Sequence, residues 1–456
     1  MKASQCLLAE INIFINGQTC KYMNKTALIV TIGKAIEPTV KRINGLNPDL
    51  VYFIHSKKSK ENSLFIIEET NLKNYRFKLL DDHESVDDAF VKASECINEL
   101  KKEDFNIITD FTVGTKPMVA GLVVASMKHG CDYKYMGESD ENSREDELGS
   151  VKSGFEKNKD QENPYEKYAI NEFKSGHEFF DKYQFSASLE NFIRASDKLN
   201  ESDLKLRSDL FIKLVSFYDS WDKFNFKNDL NEIILEIKNN SSLNEYFTQE
   251  IPNFYNQMKK NLDFLNKNSN PMYYLPDLLN NARRRICEGK YDDAVARLYR
   301  ALELIAQLQL LKFRIVDEET LKENRTFQID KEKLKKKASK KALGEIDSWN
   351  PYGWKYTNKK YLEKLDLSGD YSLLNILSSE KRNDLEKTSQ ELYKFYLNID
   401  SRVKLRNKSI LAHGLNALDK RDALTIYKLI VKQSIKLCPD IKKEMEISKF
   451  PLFKEE

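Results

Sequence analysis

The chain has 456 residues, of which 41% are hydrophobic and 32% are charged, and its formal net charge is +3. This length is sufficient for two or three domains with substantial cores, and the composition is that of an ordinary globular protein. The near-balance of charge excludes a global basic surface for steering nucleic acid, so any RNA-binding surface has to be local.

The first part of the chain alternates short apolar runs with helical patterns. We predict strands at Ala27–Thr31, Asp49–Ile54, Leu64–Ile67 and Phe105–Thr109. Strands this apolar on both faces are typical of a parallel sheet that is covered by helices on both sides. Residues 1–140 are therefore predicted to form a Rossmann-like, doubly wound α/β domain.

The composition changes after this domain. Residues 141–165 are rich in Glu, Asp, Ser, Lys and Asn and include Pro164, which favours a linker or an exposed loop. Prolines then become rare and helical periodicity dominates residues 166–456. We predict an all-helical region in which Gln184–Ala195 and Lys290–Ala301 belong to two related helical hairpins, and residues 314–370 are an insertion.

A lysine-rich run lies within this insertion. Its members are Lys331, Lys333, Lys335, Lys336, Lys337, Lys340 and Lys341. The run is either a solvated helix face or a local surface for RNA.

Cysteines and apolar stretches bear on the cellular compartment. The six cysteines are scattered singly, without a C-x-x-C pair or a histidine at metal-ligand spacing, and they support neither a disulfide scaffold nor a zinc site. Glu10 interrupts the apolar stretches near the N-terminus, and the uncharged run Pro117–Met127 is too short to span a bilayer. We expect a soluble protein of the reducing cytoplasm, without a membrane anchor.

A phosphate-binding pattern follows the strand Phe105–Thr109, where the chain reads Asp110-Phe-Thr-Val-Gly-Thr-Lys-Pro-Met118 and continues as an apolar helix. Free backbone N–H groups and the positive end of the helix dipole favour an anion at such a helix N-terminus. The glycine permits close backbone approach, and the lysine adds positive charge. A similar loop, Thr31-Ile-Gly-Lys34, follows the first strand. Ligands of doubly wound sheets bind beyond the carboxyl ends of the strands where the strand order reverses.

The pattern is not a Walker motif, because the sequence contains no Gly-x-x-x-x-Gly-Lys-Ser/Thr. A tight strand-to-helix turn without a ligand is the simpler alternative. The two loops together resemble the CARF domain of CRISPR-associated proteins over roughly residues 26–137. The resemblance implies that a cyclic oligoadenylate binds across a dimer of CARF domains. It makes six residues ligand candidates: Thr31, Gly33, Thr112, Gly114, Thr115 and Lys116.

A second motif lies near the C-terminus, where Leu405-Arg-Asn-Lys-Ser-Ile-Leu-Ala-His-Gly414 places six residues between Arg406 and His413. On a helix, seven steps put both side chains on one face, about 10 Å apart along the axis. A helix end just after His413, suggested by Gly414, raises the proton affinity of the imidazole, which suits a general acid. An exposed helix end with an ordinary Arg and His is the alternative.

This pattern resembles the signature of HEPN ribonucleases. The upstream sequence Arg297–Gln307 resembles the partner helix of the CARF–HEPN ribonucleases of type III CRISPR systems, and the two halves follow in that family's order. The resemblance implies a homodimeric, cyclic oligoadenylate-activated endoribonuclease that acts on single-stranded RNA and not on DNA. It makes Arg406, Asn407 and His413 the catalytic candidates.

These residue types suit RNA cleavage without a metal or other cofactor. The ribose 2′-hydroxyl would attack the adjacent phosphorus, His413 would move the proton, Arg406 would stabilise the charge and Asn407 would orient the phosphate or the histidine. The products would then carry 2′,3′-cyclic phosphates. His55, His83, His129 and His177 have no partner motif and are interpreted as structural.

Two other functions remain open at this level. The chain could be a ligand-sensing regulator whose helical region only binds a partner. Alternatively, its CARF domain could also degrade the cyclic ligand and so end its own activation.

Overall fold

The computed structural model describes residues 25–139, 151, 155–200, 202–225, 230–267, 270–349, 360–362, 365–379, 383–403 and 415–454. The chain divides into two compact units, Met1–Asn171 and Glu172–Glu456, which we call the sheet unit and the helical unit. Among the described residues, no helix combines the length and the apolar character needed to cross a bilayer.

The sheet unit is built on a six-stranded sheet with the order β3-β2-β1-β4-β5-β6. Strands β1 to β5 are parallel, and β6 pairs with β5 in the antiparallel sense. The strands are β1 Thr26–Thr31, β2 Leu50–His55, β3 Tyr75–Leu79, β4 Asn106–Asp110, β5 Asp132–Glu138 and β6 Glu156–Asp160. This topology confirms the predicted doubly wound α/β fold.

Helices cover both faces of the sheet. Helices α1 (Glu37–Leu46) and α2 (Lys60–Glu69) contribute Ile43 and Ile66 to the core on one face. Helices α3 (Val86–Lys102) and α4 (Lys116–His129) cover the other face. Successive side chains of β1 point to opposite faces of the sheet and therefore belong to different cores.

The prediction of a strand at Leu64–Ile67 is wrong. This apolar run lies inside α2, where Leu64 and Phe65 are 49% and 53% exposed and only Ser63 and Ile66 are buried. A run of four apolar residues has no periodicity that separates strand from helix. The actual third strand is β3, whose sequence alternates charged and apolar residues because it lies at the edge of the sheet.

The stretch predicted as a linker also contains a strand. Glu156–Asp160 forms β6, although its sequence Glu-Lys-Asn-Lys-Asp carries no apolar residue. An edge strand needs only backbone pairing with its neighbour, and charged side chains are common at sheet edges.

From Pro164 onwards the described residues are predominantly helical, which confirms the predicted class of this region. The helices are α5 Pro164–Lys167, α6 Ile170–Asp181, α7 Phe185–Lys198, α8 Asp203–Asp222, α9 Leu230–Asn239, α10 Ser241–Glu245, α11 Pro252–Asn266, α12 Tyr274–Cys287, α13 Tyr291–Lys312, α14 Glu318–Asn324, α15 Lys331–Lys337, α16 Lys340–Trp349, α17 Leu367–Leu377, α18 Asp384–Val403, α19 Lys420–Leu437 and α20 Ile441–Ile447. Within the predicted insertion the helices are short, and two isolated β-bridges join Val316 to Ile329 and Asp330 to Tyr361.

The two hairpins predicted from the internal repeat share their turn geometry. Tyr183 and Gly289 both have positive φ angles, 60° and 76°. The next residues, Gln184 and Lys290, have φ and ψ of −90° and 66°, and −91° and 69°. The same backbone turn therefore connects α6 to α7 and α12 to α13.

The helical unit holds an aromatic-rich core around α6 to α11 and a larger aliphatic core around α12 to α20. A buried carboxylate, Asp222 at the end of α8, connects them. It accepts hydrogen bonds from Arg284 Nε at 2.7 Å and from Arg285 Nη2 at 2.6 Å on α12. One carboxylate therefore faces two guanidinium groups across the two cores, and Arg285 also forms an ion pair with Glu288 at 2.8 Å.

Candidate functional site

The loops that follow β1 and β4 lie side by side at the centre of the sheet. From β1 the chain continues towards β2 on one side, and from β4 it continues towards β5 on the other. This is the position at which doubly wound sheets bind ligands. The Thr31 hydroxyl donates to the Val113 carbonyl, and the Asn62 amide donates to the Gly33 carbonyl at 2.7 Å, so both loops are held in place.

Two predicted ligand residues, Gly33 and Gly114, bring the loop backbones into contact. Gly114 has a φ of 136°, and a Cβ on it would lie 2.9 Å from Thr31 Oγ1. A Cβ on Gly33 would lie 3.0 Å from the Gly114 nitrogen. A side chain at Gly114 would meet both a strained backbone and a steric clash, so this position requires glycine.

The hydroxyls of Thr112 and Thr115 hold the second loop in position. Thr115 is the N-cap of α4, where its Oγ1 accepts from the Met118 N–H at 3.4 Å and donates to the His83 carbonyl at 2.6 Å. Thr112 Oγ1 accepts from the Met136 N–H at 2.8 Å, which leaves its own proton for donation. Lys116 lies in the first turn of α4 with its side chain exposed.

A buried ion pair below the second loop was missed by the sequence analysis. Asp110, the last residue of β4, accepts from Arg42 Nε of α1, and the two side chains are each only 6% exposed. The other carboxylate oxygen of Asp110 accepts from the Thr112 N–H at 2.8 Å. Asp110 therefore positions the start of the loop. Its place at a strand end, just before the loop motif, is the only sequence signal for this role.

The catalytic candidates Arg406, Asn407 and His413 lie outside the described residues. Helix α18 ends three residues before Arg406, and α19 begins six residues after Gly414. Both helices contribute to the aliphatic core through residues such as Ile399 and Ile426.

The other histidines lie in ordinary structural surroundings. His177 is enclosed by phenylalanines, its ring stacks on Phe453 with centroids 3.8 Å apart, and burial lowers its pKa to about 4. His55 is buried, with Nδ1 at 2.9 Å from the Ser56 carbonyl oxygen. Desolvation, followed by two nearby lysines, lowers the pKa of His129 in the last turn of α4.

No group of three or more His, Cys, Asp or Glu side chains is arranged to hold a metal ion within the part of the chain that the structure describes.

Comparison with known proteins gives a match to one family model and similarity to solved structures, of which two follow. Residues 262–436 match the family model described as the Csm6 HEPN domain. The structure of Enterococcus italicus Csm6 bound to cyclic hexa-2′-fluoro-hexa-dAMP is similar with a TM-score of 0.47 and 13% sequence identity, over 92% of this chain and 99% of that one. Can2 from Sulfobacillus thermosulfidooxidans in complex with cyclic tetra-adenylate has a TM-score of 0.23 and 14% identity, over 44% of this chain and 66% of that one. No curated protein matches the chain.

Proposed function

We propose that this chain, whose residues 262–436 match the Csm6 HEPN domain, is a metal-independent endoribonuclease of the CRISPR-associated CARF–HEPN family that acts in type III CRISPR defence and is activated by a cyclic oligoadenylate. The observation that carries this proposal is a phosphate-compatible loop pair at the switch point of one unit, in a chain whose other unit carries the HEPN match.

Ligand binding is supported by the chemistry of the loop pair. The two loops bring backbone N–H groups together without intervening side chains, and the second loop leads into the 14-residue helix α4. The N-terminus of a helix attracts anions, and the exposed Lys116 adds a positive charge there. A ring of phosphodiesters fits this combination.

Catalysis is assigned to Arg406, Asn407 and His413, which lie inside the segment that matches the HEPN family. In this mechanism the ribose 2′-hydroxyl attacks the adjacent phosphorus, His413 transfers the proton and Arg406 stabilises the negative charge that develops on the phosphate oxygens. Asn407 orients the phosphate or the imidazole. The expected products carry 2′,3′-cyclic phosphates and 5′-hydroxyls.

The decisive experiment is an RNA-cleavage assay in EDTA with cyclic tetra-adenylate and cyclic hexa-adenylate tested separately. We expect cleavage with one ring, no cleavage of DNA or of RNA with 2′-O-methyl at the scissile position, and loss of about 10²-fold or more of the rate in His413→Ala. Products with 5′-phosphates, or activity that EDTA removes and magnesium restores, would contradict the mechanism.

Two other results would favour other functions, and they require that ring binding and ring conversion be measured beside RNA cleavage. Tight binding of a ring without RNA cleavage would identify a non-catalytic regulator. Conversion of the ring to linear oligoadenylate would show that the sheet unit also degrades its ligand.

Lys116→Ala tests the binding loop. It should abolish activation by the ring without lowering stability, because the side chain is exposed and caps no backbone group. Thr115→Ala should lose activation as well, but should also cost about 1 kcal/mol of stability because the hydroxyl caps α4. The matched control is Lys128→Ala, an exposed lysine in the last turn of the same helix. Isothermal titration with the ring and thermal denaturation separate these effects, and equal affinity of Lys116→Ala and wild type would place the ligand elsewhere.

A further inference from the structure

A large cavity lies in the helical unit beside the predicted insertion. It has a volume of about 1160 Å³ and opens between α13, the segment 325–329 and the start of α17. Ligand pockets for small molecules are typically about 300–1,000 Å³, so this cavity has room for a nucleotide. Aromatic side chains line it together with charged and amide groups.

One face of α13 presents a connected polar network to the cavity. Arg300 Nη1 donates to Gln307 Oε1 at 2.9 Å and lies 3.3 Å from Glu303 Oε2. Gln307 Nε2 in turn donates to Asp370 Oδ2 of α17 at 3.0 Å. These bonds fix the orientation of the Gln307 amide and hold the Asp370 carboxyl against the cavity wall.

Asp370 is an unusual residue for a cavity wall. Its carboxyl group is buried, and the hydrogen bond that it accepts from Gln307 comes from a neutral amide and not from a cation. The residue is only 4% exposed, and burial raises its pKa to about 7. Gln307 bonds Oδ2 of this carboxyl group, and a carboxylate has acceptor capacity for several hydrogen bonds on its two oxygens. A buried carboxyl without a directly bonded cation is costly, and such groups concentrate at functional sites.

A basic surface adjoins the cavity. The wall segment ends at Ile329, and the next residue, Asp330, caps α15 by accepting from the Lys333 N–H at 3.0 Å. Two lysines of the predicted run support the structure, since Lys331 is buried and Lys333 Nζ donates to the Val316 carbonyl at 3.2 Å. The remaining five are exposed on α15 and the start of α16: Lys335, Lys336, Lys337, Lys340 and Lys341.

The cavity wall is also connected to the helix that leads into the catalytic motif. Tyr371, next to Asp370, stacks on Tyr396 of α18 with ring centroids 4.5 Å apart. Helix α18 ends at Val403. Three residues of chain span at most about 11 Å, which limits the distance from Val403 to Arg406.

We propose that this cavity is a nucleobase-specific subsite for single-stranded RNA, in which Asp370 and Gln307 hydrogen-bond the edge of one unstacked base while the exposed lysines of α15 and α16 bind the neighbouring phosphates. Sequence-specific recognition of RNA typically uses single-stranded bases that are turned out and read on their edges. In its ionised form Asp370 accepts from bases that present an N–H donor, and each well-made base contact is worth about 1–3 kcal/mol of discrimination. The inference deepens the proposed function, because it names the part of the substrate that this surface recognises.

The test measures base preference in two independent ways on the full-length protein. Cleavage sites are mapped on a mixed-sequence RNA with the activating ring present. Binding is measured by fluorescence anisotropy on short oligouridine strands that carry a single adenine, cytosine or guanine.

Asp370→Asn keeps the shape of the side chain but replaces one acceptor oxygen by a donor, and it should change the preference between bases by about tenfold in both assays. Gln307→Ala, which removes one of the two base contacts and the hydrogen bond to Asp370, should weaken the same preference.

Matched controls separate the subsite from general effects. Asp384→Asn, a fully exposed carboxylate at the start of α18, should leave base preference unchanged. Replacement of Lys336, Lys337 and Lys340 by alanine should weaken binding equally for all bases. It should also lower the slope of log K against log salt concentration by about 2, because each phosphate contact to a single strand contributes about 0.7 to that slope. The control replaces three exposed lysines on the helices around the aromatic-rich core, Lys182, Lys238 and Lys260. It should change neither the affinity for RNA nor the salt dependence of binding.

The two proposals fail in distinguishable ways. Wild-type protein that does not cleave RNA with any ring would overturn the proposed ribonuclease activity. The subsite would then still be supported by base-dependent binding that Asp370→Asn alters. A folded Asp370→Asn protein with the wild-type order of bases in the anisotropy assay would overturn the subsite, whatever the cleavage result.

Discussion

At the scale of single residues, the buried ion pair between Arg42 and Asp110 shows how the binding loop is held. Asp110→Ala leaves the Arg42 charge buried without its carboxylate and frees the Thr112 N–H. We expect a loss of about 3–5 kcal/mol from the sheet unit, which is typical of a broken buried pair. Hydrogen exchange of peptides from β1 and β4 measures this locally. Glu103→Ala, in the exposed pair with Arg76, is the control and should leave this exchange nearly unchanged, because exposed ion pairs contribute little to stability. Equal exchange in both variants would contradict the role given to Asp110.

His177 gives the helical unit a specific pH dependence. Its pKa is about 4 in the folded protein, because burial disfavours the imidazolium, against about 6.5 when unfolded. The unfolded state therefore binds the extra proton first as the pH falls. The stability that this residue contributes is fully present above pH 6.5 and is lost as the pH falls towards 4, by about 3 kcal/mol in total. His177→Phe should flatten this part of the stability profile, followed by the fluorescence of Trp221 in the same aromatic core. An unchanged slope would show that other groups dominate acid unfolding.

At the scale of elements, the contact between α3 and α4 positions the helix whose N-terminus forms the candidate binding site. Gly121 of α4 allows this approach, because a Cβ there would lie 2.5 Å from the Ala89 Cβ and 2.7 Å from the Val86 carbonyl oxygen. Gly121→Ala should push the helices apart, cost about 1–3 kcal/mol and weaken ring binding. Gly45→Ala in α1 is the matched control, since a Cβ there meets nothing within 4 Å and alanine favours the helix by up to about 1 kcal/mol. Hydrogen exchange of α3 and α4 peptides, together with titration of the ring, checks both variants. Unchanged exchange in Gly121→Ala would show that the helices can absorb the extra methyl group.

At the scale of the whole molecule, the single Arg406 and His413 motif in each chain predicts a homodimer with one composite active site. Light scattering measures the oligomeric state. If two copies share the site, mixing wild type with increasing His413→Ala protein should reduce activity as the square of the wild-type fraction. A linear decrease, or a fully active monomer, would contradict the composite site.

The sequence by itself determined the class of both units and the place of the candidate binding loops. The apolar runs at β1, β2 and β4, the capping threonine at Thr115 and the glycine at Gly114 are local signals, because backbone propensity and strand-end chemistry act over a few residues. The same local reasoning was wrong for Leu64–Ile67, where a short apolar run fits a helix as well as a strand. It also found no strand at β6, because an edge strand is stabilised by backbone pairing with a distant neighbour.

The tertiary structure alone decided which polar residues meet. Arg42 reaches Asp110 across 68 positions of sequence, and Gln307 reaches Asp370 across 63. Neither pair has a spacing that a local pattern could encode, since the chain topology brings each pair together and burial then makes the contact strong. The candidate binding loop could be read from residues next to one another, whereas the ion pair beneath it and the cavity of the helical unit depend on contacts that exist only after folding.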